Sequence, residues 1–123
     1  MRVDPSTNRV IGRIEVPKAD WITPSADALW VSTEANVVVR LDPNTGAVLA
    51  RIPVGQNPLA SAWVGGELWV PNIDDGTVSV IDPATDLVRA TLAVGRSPLA
   101  VAESGGDAWV SSSFDGELWR IHP

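Results

Sequence analysis

At 123 residues, with 45% apolar and 20% charged positions, the chain has the size and composition of one ordinary globular domain. It has no cysteine for a disulfide or thiolate site, and a net charge of −6 without any basic cluster excludes a polyanion such as nucleic acid as partner. No apolar run nears the roughly 20 residues of a helical membrane span, and the N-terminus lacks the apolar core of a signal peptide, so as written the chain is expected in the cytoplasm.

Repetition organises everything that follows. Asp4-Pro5 returns as Asp42-Pro43, Asp82-Pro83 and, altered, His122-Pro123, at intervals of 38, 40 and 40. Trp30-Val31 returns as Trp69-Val70 and Trp109-Val110, at intervals of 39 and 40. Pro58-Leu59-Ala60 recurs as Pro98-Leu99-Ala100, and Gly65-Gly66 as Gly105-Gly106. Several independent landmarks at one period mark a repeat architecture.

In chain order, the first element is an outer strand over about 8–16, because Asn8 to Val16 aligns with Asp86 to Val94. A first complete unit follows over about 20–54 and a second over about 58–94. The second shows the pattern most fully. Leu59 to Trp63 is a first strand, reversed by Gly65-Gly66 into a second over Glu67 to Pro71. Asp74-Asp75-Gly76 supplies the positive φ of a tight hairpin before a third strand, Thr77 to Asp82. Asp82 accepts backbone N–H bonds ahead of the preset φ of Pro83, and Leu87 to Val94 is the fourth strand. The last stretch, about 98–122, holds three inner strands ending in Glu117 to His122.

Helical periodicity is absent, and the strands are apolar on both faces, as in Leu68-Trp69-Val70 and Val78-Ser79-Val80-Ile81. A sheet of that kind must be covered on both sides. Four short strands every 40 residues or so, with small residues (Ala60, Ser61, Ala62) in the innermost strand, predict an all-β propeller with three blades per chain, one of them split between the termini.

The run Val-Gly-x-x-Pro-Leu-Ala, then Leu-Trp-Val, then Gly-x-Val-x-x-Ile-Asp-Pro-x-Thr resembles the YVTN family of propeller repeats. It is also similar to the blades of streptogramin (virginiamycin B) lyases, through Asp27-Ala28-Leu29-Trp30-Val31 and Asn8-Arg9-Val10-Ile11-Gly12-Arg13-Ile14. The resemblance rests on turn and core residues, so it implies a fold more than an activity.

Three blades do not close a ring, since propellers have about four to eight. Two chains would give six, so a homodimer is expected, with residues 8–16 of each chain beside Glu117 to His122 of the other; a homotrimer of nine blades is the alternative. A piece of a longer propeller, excised or engineered, fits the same pattern.

Loops between second and third strands, with those leading into first strands, gather on one face around the axis. They offer Glu34, Asn36, Asn72, Asp74, Asp75 and Asp115 from the first set, and Lys18, Asp20, Gln56, Asn57, Arg96 and Ser97 from the second. The axial ligand face is assigned to Glu34, Asn57, Asn72, Asp74, Asp75, Arg96 and Asp115, where oxygen ligands could gather Ca²⁺ or Mg²⁺ or a small ligand could sit. Asp, Asn and Gly are also simply what turns require, so no cofactor and no catalytic residue is assigned. The lyases resembled here use histidines with a glutamate and magnesium, whereas this chain has one histidine, His122, at the opposite face. A non-enzymatic self-assembling propeller is therefore expected, with a lyase- or lactonase-like enzyme or a ligand-binding propeller as alternatives. Of the six tryptophans, Trp30, Trp69 and Trp109 share a core position. Trp21, set against Leu59 and Leu99, is also expected in the core, while Trp63 and Trp119, matching Glu103 and Ser79, are expected at the surface.

Overall fold

The computed structural model describes residues 1–123, which form β-strands and turns only. An N-terminal hairpin pairs β1 (Arg2–Asp4) with β2 (Arg9–Gly12). The first blade is β3 (Ala19–Pro24), β4 (Leu29–Thr33), β5 (Val37–Leu41) and β6 (Val48–Pro53), antiparallel in that order. The second is β7 (Ala62–Val64), β8 (Glu67–Asn72), β9 (Thr77–Asp82) and β10 (Leu87–Ala93). The third has three strands, β11 (Pro98–Ser104), β12 (Asp107–Ser112) and β13 (Glu117–Ile121).

Local turn chemistry sets these boundaries. Gly65 and Gly66, at φ of 56° and 80°, make the tight turn between β7 and β8, where both central residues need positive φ. Asp82 Oδ1 accepts the Ala84 N–H at 2.9 Å, Asp42 Oδ1 that of Asn44 at 2.8 Å and Asp4 Oδ1 that of Ser6 at 2.9 Å. One carboxylate at one repeat position therefore shapes every turn between third and fourth strands.

The split-terminus reading needs amending at the front. The outer strand expected over 8–16 is not alone: Arg2–Asp4 pairs with it as a third strand, because Asp4-Pro5 builds the same turn as Asp82-Pro83. It is also shorter, stopping at Gly12.

Alternation along each strand sends one set of side chains to the preceding blade and the other to the following one. Trp30, Val38 and Ile52 of the first blade meet Leu68, Val70 and Ile81 of the second. Trp69, Val78 and Val80 of the second meet Val101, Ala108 and Val110 of the third. The other face of the first blade, Val31, Val39 and Leu41, is buried with Val16 packed on it. Arg40 spans the first interface, reaching Asp27 of its own blade at 3.1 Å and Asp86 of the next at 2.9 Å, over the Trp30 ring at 5.0 Å. At the axis the blades approach through backbone: Val101 N–H donates to Ala60 O at 2.9 Å, a contact that leaves room only for small side chains.

Two tryptophan expectations are overturned. Trp21 pairs with Ser32 as Ala100 pairs with Ser111, so it stands at the alanine position and not at that of Leu59 and Leu99, and there it is 44% exposed rather than in the core. Trp63 is not a surface residue: it packs on the first interface, edge-on to Trp30 with ring centroids 5.5 Å apart, and its Nε1–H donates to Pro24 O at 2.8 Å. Trp119 is partly exposed, as expected.

Candidate functional site

The axial face is built from one loop design used three times. Lys18, Asn57 and Ser97, each just before a first strand, hold left-handed backbone at φ of 59°, 56° and 54°. That conformation disfavours side chains with a Cβ by about 1–2 kcal/mol each, so the surroundings must hold it. They do so through a shared bond: the carbonyls of Lys18, Asn57 and Ser97 accept N–H bonds from Glu34, Ile73 and Ser113 at 3.0, 3.1 and 3.1 Å. The turn carboxylates add a second tie, Asp75 Oδ2 accepting the Gln56 N–H and Asp115 Oδ2 the Arg96 N–H, both at 2.8 Å.

Placed on this frame, the assigned residues separate into three groups. Glu34 and Asp74 are exposed, held by backbone bonds alone; the Asp74 N–H donates to Gln56 O at 3.2 Å. Asn57 anchors to the neighbouring blade, its N–H donating to Asn36 Oδ1 at 2.9 Å. Asp75, Arg96 and Asp115 come together with the second tie. Arg96 Nε lies 3.3 Å from Asp115 Oδ1, and its guanidinium stacks on Phe114 at 4.5 Å. Asn72 leaves the face altogether. As the last residue of β8 it is 0% exposed, with Nδ2 donating to Ser79 Oγ at 2.9 Å and Thr77 Oγ1 at 3.1 Å, and Oδ1 without a donor. Its strand position turns it inward, where an amide serving as a turn residue would have pointed out.

Chemically, the face offers Asp75 and Asp115, which already spend an oxygen on backbone N–H groups, the exposed Glu34 and Asp74, and one guanidinium. No three carboxylates or imidazoles converge there into a metal-binding set. Phe114, 69% exposed at the tip of the last β12–β13 turn, borders a cleft of about 370 Å³ with Asp74, Asp75 and Arg96. Its one sign in the sequence is a lone phenylalanine in a Ser-Ser-Phe-Asp-Gly turn, an apolar group where turns are usually polar.

His122 lies beyond the other end of β13. Its Nδ1 is 2.6 Å from Asp107 Oδ1, and Arg120 Nε donates to Asp107 Oδ2 at 2.5 Å. The hydrogen bond from His122, then that from Arg120, hold the Asp107 carboxyl below its ordinary range. This cluster ties β12 to the chain's last residues and makes no contact with the axial loops.

No family model matches the chain, and a search of curated proteins finds no match. Solved structures do match. The WD40 β-propeller domain of Doa1 superposes with a TM-score of 0.75 at 20% identity, over 93% of this chain and 40% of that one. Hydrazine synthase of Kuenenia stuttgartiensis gives 0.73 at 25% identity, over 90% and 37%. The computationally designed Ika8 protein gives 0.72 at 16% identity, over 83% and 32%. The chain thus spans 32–40% of these structures' lengths, and what it shares with them is the β-propeller fold.

Proposed function

We propose that the chain is a non-enzymatic propeller scaffold of YVTN-like repeats that completes its ring by pairing with a second copy, giving six blades. One observation carries this reading. The tryptophan of the second strand is 1% exposed at Trp30 and 2% at Trp69, where another blade covers it, whereas Trp109 at the same position is only half-buried. Around it the outward face of the third blade exposes Leu118 and Arg120, which take the places of the buried Val78 and Val80. Such a face is built for sheet-on-sheet packing, and a second copy of the chain is the cover proposed for it. The likeness to a designed propeller fits a scaffold whose residues serve packing. The axial loops support the same reading, since Asp75 and Asp115 are engaged in holding backbone.

Light scattering after gel filtration tests it directly. The expected mass is twice the 13.0 kDa of the chain, and a monomer persisting at micromolar concentration overturns the assembly. Turnover of a streptogramin or lactone substrate, abolished by Asp115→Ala, would replace the scaffold with an enzyme.

A further inference from the structure

The place of the third strand in the repeat is filled by β1, β5, β9 and β13, and that of the fourth strand only by β2, β6 and β10. Within the two complete blades these strands pair in one register. Ile81 faces Val88, Val80 faces Ala90, and a bulge leaves Arg89 unpaired; likewise Leu41 faces Val48, Arg40 faces Ala50, and Leu49 is unpaired. The N-terminal hairpin copies this register and its bulge. Val3 faces Val10, Arg2 faces Gly12, and Ile11 is unpaired. Arg2-Val3-Asp4-Pro5 thus stands on β2 where the later repeat carries Arg120-Ile121-His122-Pro123.

The copy is partial. β1 leaves Arg13 to Val16 without a paired strand, whereas Thr91, Leu92 and Ala93 pair with Ser79, Val78 and Thr77. Val54 and Val94 follow their fourth strands by donating N–H to Asn36 O and Gly76 O, each at 3.0 Å, and Val16 at the same place makes no such bond. β13 has the opposite shortage. It is a full third strand, paired with β12 along one side, while its other edge pairs with nothing and Leu118 is 71% exposed. An unpaired edge beside exposed apolar side chains is a template for another strand.

We propose that the free edge of β13 takes residues 9–16 of a second copy, and that β1 is a guard strand which leaves β2 for this to happen. The proposal rests on the six-bladed scaffold and adds the exchange by which the ring closes. The register inside the chain fixes the contacts. Val10 of the second copy falls opposite Ile121, Gly12 opposite Arg120 and Ile14 opposite Leu118, and its Val16 N–H reaches Gly116 O. β1 cannot remain, because β13 takes the same edge of β2. The exchange replaces the three paired positions of β1 with the six that β9 makes on β10, which favours it. One pair opposes it: Glu15 of the second copy falls opposite Glu117, and like charges directly across a strand pair weaken it.

Two sets of full-length variants test this. The chain has no cysteine, so Val3→Cys with Val10→Cys places a single pair at opposing positions, about 4.5–5.5 Å apart between Cα atoms and within the span of a disulfide. Light scattering at one concentration should read twice 13.0 kDa for this variant when reduced and 13.0 kDa when oxidised. Glu117→Lys should tighten the dimer about tenfold over the two seams of the ring, as should Glu15→Lys. The double change restores like charges and should return the dissociation constant to near the wild-type value. A dimer that persists with the disulfide closed within each chain overturns the guard strand while leaving the assembly standing. A double variant tighter than either single change, the mark of a general charge effect, overturns the register. Wild type and reduced variant both monomeric at micromolar concentration overturn the scaffold, and this exchange with it.

Discussion

Truncating the repeated tryptophan one blade at a time measures what covers each. Trp69 is 2% exposed and packs among Val64, Val78, Val80 and Val110, so Trp69→Ala removes a whole ring from a closed interface. Loss of a buried tryptophan costs about 3–5 kcal/mol, much of the 5–15 kcal/mol that holds a domain together. Trp109 in a lone chain keeps only its inner face and the stacked Arg120 guanidinium, 5.5 Å from the ring centroid. On that partial burial Trp109→Ala costs about 1–2 kcal/mol. If a second copy covers the third blade, the cost instead approaches that of Trp69→Ala. The wild-type midpoint then also depends on concentration, tenfold dilution removing about 1.4 kcal/mol per dimer. Urea melts of both variants and the wild type, each at two protein concentrations, separate these cases. Equal small losses for both tryptophans would refute the inter-blade core itself. A small loss at Trp109 alone, with midpoints independent of concentration, would refute the covering blade.

Two further predictions concern smaller parts. Gly55→Ala drives a Cβ to within 2.6 Å of the buried Asn72 Cγ and should cost about 1–3 kcal/mol. Gly65→Ala meets no atom within 4 Å but must hold φ at 56°, so it should cost about 1–2 kcal/mol, recovered in part by Gly65→Asn, whereas Gly55→Asn recovers nothing in the same melts. The second turns on Asp107, whose carboxyl titrates lower in the folded chain than in the unfolded one. Its stabilisation is complete above the ordinary carboxylate value of about 3.9 and is lost as pH falls through the lowered folded value. The stability gap between wild type and Asp107→Asn should thus narrow on acidification from about pH 4 downward; a gap unchanged to pH 2 would remove the His122 and Arg120 contacts as its source.

The blade period and nearly every turn are legible in the residues alone, because those depend on contacts two or three residues long. Asp82 before Pro83 and Gly65-Gly66 carry their hydrogen bonds and φ values wherever the chain goes, and Trp69 flanked by Leu68 and Val70 declares a sheet covered on both sides. What a side chain meets across an interface was decided only by the tertiary structure. Strand pairing sets Trp21 opposite Ser32, at the place of Ala100 and not of Leu99, where it is exposed, and the proximity of Trp30 and Pro24 drew Trp63 inward. Asn72 reads as a turn residue in sequence and becomes a buried amide because β8 runs one residue longer than Pro71 suggested.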